Sequence, residues 1–404
     1  MGTLTNSHAT RSRGGTRVPF ADCEIAEEAQ EAALEVLRSG WVTTGRQTSA
    51  FESEFAEYVG AEHAVAVSSC TAGIELALRS LGLEPGSRVL VSTVTFCGAV
   101  HAIVHAGLQP VLVDVDPGTG MPDEYTVRRA AASCGGVEAM LVVHLAGDPT
   151  PVVALAAAAG LPLDRVVEDA AHALGSYYCG SHIGTETAAT CYSFYATKNL
   201  PIGEGGMVTT ADPDRADLLR RMRLHGMSAD AWRRYLPGGS WQYDVRTAGL
   251  KANMSDLQAA IGRAQLRRLP QWQHRRAEIA ARYDERLAQL PGLGLPHRPR
   301  PGQGVHAWHL YPVRIPPWWP ARDDVITDLD AAGIGTSVHF IPIHRLGHFR
   351  KYASGAGRDM RGAEALFPSL VSLPMYPRLT DEQVDAVCLA LDESRQSQLE
   401  KREA

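Results

Sequence analysis

The sequence predicts an α/β protein. A large unit is built on a mostly parallel sheet sandwiched by helices, and a smaller α+β unit follows it. Three observations carry this. Between residues 63 and 168, short apolar runs alternate with Ala-rich helical stretches. The runs are apolar on both faces, as strands between two helix layers require. Beyond residue 291, a stretch rich in Pro, Gly and Arg precedes a second, shorter set of strands and helices. The expected organisation is a flexible arm over 1–17, a large unit over 18–265 and a small unit over 266–404.

Taken in order, Ile25, Ala29, Ala32, Ala33, Val36 and Leu37 recur at helical spacing, and Gly40 is placed to end that helix. Phe51, Phe55, Tyr58 and Val59 mark a second helix, closed at Gly60. Strands are expected at 63–67, 88–92, 110–115, 139–145 and 165–168, with helices at 72–82, 98–107, 124–133 and 151–160. No Gly-x-Gly-x-x-Gly follows the first strand, so a dinucleotide fold has no direct support. Ser255-Asp256-Leu257-Gln258 reads as a capping box opening a long helix. Pro270 is expected to kink or break that helix, which resumes to about Leu290. The small unit shows strands at 309–315 and 336–340 and helices near 322–332 and 380–393.

Composition excludes several functions. The 404 residues carry a net charge of −6, so no general basic field exists to hold a nucleic-acid backbone. No run of about 18 apolar residues occurs, which speaks against a membrane span. The first 15 residues are polar and lack the apolar stretch of a secretory signal. Seven scattered cysteines without a C-x-x-C argue for reduced thiols and a cytoplasmic setting, and against a zinc or other metal site.

Ligands of open α/β sheets sit beyond the carboxyl ends of the strands. Four such ends carry suggestive residues. Ser68-Ser69-Cys70-Thr71 opens a helix whose free N–H groups suit a phosphate, although Ser69 alone is also an ordinary N-cap. Asp169 follows Val166-Val167; it is either a structural cap or the partner of a protonated ring nitrogen. Phe96 follows the 88–92 strand, as core or as a platform for a flat cofactor. Lys198 closes the run Ser193-Phe194-Tyr195-Ala196-Thr197. A part-buried lysine has a lowered pKa and can form an imine, whereas most lysines are surface charges. Only four lysines exist: Lys198, Lys251, Lys351 and Lys401. A phosphate cradle, a ring-nitrogen carboxylate, a stacking aromatic and an imine lysine together are what pyridoxal 5′-phosphate requires.

Further blocks sharpen the reading: Gly40-Trp41-Val42-Thr43-Thr44-Gly45, Val113-Asp114-Val115-Asp116, Glu168-Asp169-Ala170-Ala171-His172, Gly203-Glu204-Gly205-Gly206, Met254-Ser255-Asp256-Leu257-Gln258-Ala259-Ala260 and Trp308-His309-Leu310-Tyr311. With these, the chain from about Val18 to Leu391 resembles the DegT/DnrJ/EryC1/StrS family of pyridoxal-phosphate sugar aminotransferases, of the aspartate-aminotransferase fold type I. The resemblance implies roles. Lys198 would be the Schiff-base lysine and Asp169 the partner of the pyridine nitrogen. His172 would lie near the cofactor's phenolic oxygen and Phe96 over its ring. Ser69, Cys70, Thr71 and Ser193 would bind phosphate, joined by Lys251 from the neighbouring subunit of a homodimer with shared sites. Thr43, Thr44, His339 and His344 would border the substrate, although a packed strand explains the two histidines as well. Cys70 stands where the family commonly has Gly, Arg46 where Pro is frequent, and Met121-Pro122 where a short polar pair is usual.

The resemblance implies amino transfer, with glutamate as donor, to a nucleotide-linked keto-deoxysugar. A keto-cyclitol acceptor is the chemical alternative. A pyridoxamine-dependent sugar dehydratase is a third reading, against which Lys198 counts, and a non-catalytic protein on this fold is a fourth. Trp232, Arg233, Arg234, Tyr235, Trp241 and Tyr243 lie in a stretch expected to shape the pocket.

Overall fold

A computed structural model describes residues 17–228, 243–352 and 359–403, with side chains described to residue 396. The arm expected over 1–17 lies almost wholly outside the described residues, as do Trp232, Arg233, Arg234, Tyr235 and Trp241.

Helix α1 (Glu27–Ser39) has Glu27 and Glu28 in its first turn and Arg38 in its last, matching the helix dipole. It stops at Gly40, whose φ of 72° few other residues adopt. Helix α2 (Arg46–Val59) follows, and then strand and helix alternate: β1 (His63–Val67), α3 (Cys70–Ser80), β2 (Arg88–Ser92), α4 (Cys97–His105), β3 (Gln109–Val113), α5 (Glu124–Ser133), β4 (Ala139–Val143), α6 (Val152–Ala159) and β5 (Val166–Asp169). Two short strands, β6 (Tyr177–Tyr178) and β7 (Ser181–His182), precede β8 (Ala189–Ser193) and β9 (Gly206–Thr210). Helix α7 (Pro213–Met222) and the long α8 (Asp256–Leu287) close this half. The remainder holds β10 (Gly304–Val305), β11 (Tyr311–Arg314), α9 (Arg322–Ala331), α10 (Arg361–Leu366), β12 (Leu370–Leu373) and α11 (Asp381–Glu403).

The main sheet has seven strands in the order β1-β9-β8-β5-β4-β2-β3. Only β9 runs against its neighbours, so the expected parallel sheet carries one reversed strand. β9 and α7 were not among the expected elements, nor was β12, which pairs antiparallel with β11. In β9, Thr209 and Thr210 are buried, and their hydroxyls donate to the carbonyls of Gly184 and Ala188. Gly206 fits only because it lacks a side chain: a Cβ there would lie 2.7 Å from the Cys70 nitrogen.

Two expectations are corrected. Pro270 does not break α8, which runs 32 residues without interruption. Buried Leu269 and Trp272 anchor it on both sides of the proline, and this packing offsets one lost hydrogen bond. The expected boundary at 265/266 falls inside this helix. The second correction concerns 336–340, which is not a strand. Ser337 alone bridges Ser372, and the chain then turns away to set His339 and Phe340 into a cavity wall. No helix among the described residues is long and apolar enough to cross a membrane.

Candidate active site

Parallel strands put their carboxyl ends on one edge of a sheet, and loops leaving that edge converge. Here the ends of β1, β2, β4, β5 and β8 deliver Ser69, Phe96, His144, Asp169 and Ser193 to one cavity of about 500 Å³. The turn after β8 adds Lys198, and later parts of the chain close the space with His309, His339, Phe340 and Met375. Phe20, from the chain before α1, stacks on His339 with ring centres 5.4 Å apart.

At one end stands the start of α3. The Ser69 hydroxyl accepts from the Ala72 N–H at 3.1 Å, so Ser69 is an N-cap. The N–H groups of Cys70 and Thr71 have no acceptor within the helix, which leaves the first turn open to an anion. Ser193, whose hydroxyl accepts from the Tyr195 N–H, faces the same cavity. Phe96 is 59% exposed, a large aromatic at the mouth rather than in the core. Its ring centre lies 6.0 Å from that of Phe340.

Asp169 is buried at the end of β5, where its Oδ1 accepts from the Ala171 N–H at 3.1 Å. Burial pushes its carboxyl up, against the pull of that N–H and of the Lys198 charge. Lys198 is part-exposed to the cavity. Burial of its ammonium lowers it to about 8, against the pull of Asp169. His172 accepts the Ala146 N–H at Nδ1, so in the neutral ring Nε2 carries the proton. Burial, then the Lys198 charge, holds His172 well below its usual value.

The structure thus brings Lys198, Asp169, Ser69, Cys70, Thr71, Phe96, His172, Ser193 and His339 around one cavity. Thr43, Thr44 and Lys251 lie apart from it. The Thr43 carbonyl accepts from the Asp256 N–H, Thr44 donates to the Met254 carbonyl, and Lys251 donates to Asn253, which in turn donates to Thr44. His344 sits behind the wall, between Thr93 at 2.7 Å and Glu364 at 2.6 Å. His309 was quoted within a block but not singled out; nothing in the sequence placed it beside Lys198.

The cavity fits pyridoxal phosphate on its own donor set: a part-buried primary amine of lowered pKa, a buried carboxylate, and an open helix start where Gly206 permits close approach. Among the described residues, no cluster of His, Cys, Asp and Glu could hold a metal ion.

Comparison with known proteins identifies the family. Residues 23–392 match the DegT/DnrJ/EryC1/StrS aminotransferase family. The spore coat polysaccharide biosynthesis protein SpsC of Bacillus subtilis is 43% identical over 377 residues, spanning 93% of this chain and 96% of that protein. The aminotransferase TlmJ of Streptoalloteichus hindustanus superposes with a TM-score of 0.84 at 32% identity, covering 95% of this chain and all of TlmJ. Spr1654 of Streptococcus pneumoniae, described as a sugar aminotransferase and solved in a PLP form, gives 0.85 at 29% identity, covering 95% and 99%. The chain belongs to the DegT/DnrJ/EryC1/StrS aminotransferase family and is a pyridoxal-phosphate-dependent aminotransferase.

Proposed function

We propose that the enzyme moves the amino group of L-glutamate to the keto group of a nucleotide-linked keto-deoxysugar, in the making of an amino sugar. One observation supports this most. Lys198 and Asp169 share a cavity with an open helix start, and the amine of Lys198 is held at about 8, close to neutral pH. The cofactor, when bound, supplies an electron sink for the carbon that bears the amino group.

This chain's residues do the rest. Lys198 Nζ would hold the cofactor and, as a free amine, would take up and return the substrate proton. Asp169 keeps the ring nitrogen protonated, because an opposite charge at hydrogen-bond distance favours both ionised forms. His172, with its proton on Nε2, would donate to the phenolic oxygen. Ser69, Cys70, Thr71 and Ser193 would hold the phosphate, and Phe96 would cover the ring. Lys251 completes the partner subunit's site, which makes the protein a homodimer. His339 borders the substrate in this cavity, whereas Thr43 and Thr44, grouped with Lys251, border it in the partner subunit's site. The polysaccharide named for the Bacillus relative supports a saccharide acceptor.

The test is spectroscopic. The purified protein should be yellow and lose that colour on addition of glutamate. A panel of keto-sugar nucleotides and keto-cyclitols is then added. Return of the colour with a keto-sugar nucleotide is expected. Return with keto-cyclitols alone, or no bleaching by any amino acid, would overturn the reading.

A further inference from the structure

An amine reacts through its lone pair, so the direction of its N–H bonds decides whether that lone pair faces an incoming carbonyl. Lys198 Nζ lies 3.5 Å from His309 Nε2. The state of that nitrogen is set behind the ring. Asn199 donates its amide hydrogens to the Gln273 side-chain oxygen at 3.0 Å and to the Ala307 carbonyl at 2.8 Å. Gln273 is held in turn by donating to the Leu174 carbonyl at 2.7 Å. Asn199 therefore turns its oxygen to His309 Nδ1, at 3.0 Å. An oxygen acceptor there requires Nδ1–H, and a neutral ring is left with its lone pair at Nε2, toward Lys198.

The ring's surroundings keep it neutral. Burial comes first, and the charges of Lys198, His172, Arg276 and His339, all cationic when protonated, act in the same direction. Arg276 also fixes the backbone that carries the ring, donating from Nη1 to the carbonyls of Trp308 and Met375, both at 3.0 Å. On its other side Lys198 feels Asp169 and Cys70.

We propose that His309 is a positioning residue that aims Lys198: its Nε2 accepts one N–H of the amine and so turns the lone pair into the cavity, while Asn199 locks the required tautomer. The inference rests on Lys198 as the residue that binds the cofactor covalently. Nucleophile, oriented acceptor and orienting amide follow the general logic of activated nucleophiles.

Two substitutions separate aiming from bracing. In His309→Gln an oxygen can reach the position of Nε2, and the Asn199 contact is lost. In His309→Asn the contact to Asn199 can persist, and nothing reaches Lys198. The readout is the rate at which cofactor-free protein takes up pyridoxal phosphate covalently, with a C–N bond formed and water released. Aliquots are trapped with borohydride at fixed times. His309→Gln should stay close to wild type, while His309→Asn should be slower by about tenfold, the factor one hydrogen bond carries. The reverse order, or equal rates in all three, would overturn the proposal.

Asn199→Asp gives an independent arm should a histidine variant fail to fold. A carboxylate at Nδ1 favours imidazolium, which has no lone pair to offer. Uptake should then fall at pH 7 and recover as the pH rises. An Asn199→Asp profile parallel to wild type would count against aiming. If wild type itself takes up no label at Lys198, the reading of that residue falls first, and the inference falls with it.

Discussion

The thiol of Cys70 points at Asp169, with Sγ 3.8 Å from Oδ1 and 3.5 Å from the Cys191 carbonyl. Burial, followed by the charge of Asp169, keeps this thiol well above its usual range, so it stays S–H and donates weakly. The carboxylate is thus oriented by one backbone N–H and one thiol. Asp169→Asn keeps the shape and removes the charge. It should lower turnover by about 10²-fold or more. Its thermal midpoint should hold or rise, since burying the carboxylate works against folding. Cys70→Ala removes only the weaker donor and should keep turnover within about tenfold. Near-normal turnover in Asp169→Asn would contradict its role.

Lys198 makes folding pH-dependent in a defined direction. The folded protein releases the lysine proton near 8, the unfolded chain near 10.5. Between these values the unfolded state binds more protons, so this group's contribution to stability rises with pH. Below about 8 the buried ammonium works against folding. Cofactor-free Lys198→Met should therefore melt above wild type at pH 7, and the gap should close toward pH 10. Melting curves at a series of pH values test this; a variant less stable at pH 7 would contradict it.

Glycine in a helix interior is usually worth replacing, since alanine gains about 1 kcal/mol. Gly262 in α8 should behave in the opposite way. A Cβ there would lie 2.6 Å from the Phe51 ring. That ring is fully buried and packed on Phe55 and Phe194, with ring centres at 6.1 and 5.3 Å, so it cannot yield. Gly262→Ala should destabilise by roughly 1–3 kcal/mol, as overpacking does. Denaturant unfolding measures it, and a gain in stability would show that the ring has room.

These effects differ in how far the sequence foretold them. β1, β2 and α5 fell on their expected residues, because apolar runs and cap residues are local signals. The strand β9 was hidden because its Gly-Met-Val-Thr-Thr follows a glycine-rich turn, and its threonines are satisfied by distant carbonyls. The helix α7 does carry local signals, Asp212 at the N-cap before Pro213 and a short apolar stripe of Ala216, Leu219 and Met222, but that stripe is only three residues long and lies among charged neighbours. The break expected at Pro270 did not occur because packing overrode a backbone rule. At the site, strand ends foretold Asp169, Phe96 and Ser193, whereas His309 reaches Lys198 across 111 positions of chain. Pattern within a segment carries no trace of such a meeting.

Thr44, Asn253 and Lys251 form one cluster outside the chain's own cavity, as residues serving a partner's site would. Lys198→Ala and Lys251→Ala should each be inactive alone. Co-expressed, they should form heterodimers in which one site has both lysines and the other neither, and part of the wild-type activity should return. Full activity in Lys251→Ala, or heterodimers that restore nothing, would contradict sharing.

The central claim is that Lys198 holds the cofactor through its amine. Borohydride reduction of the protein with bound pyridoxal phosphate, followed by peptide mapping, tests it most directly. The account predicts one phosphopyridoxyl label per chain, on Lys198. A label on Lys251, Lys351 or Lys401 with Lys198 unmodified would contradict it.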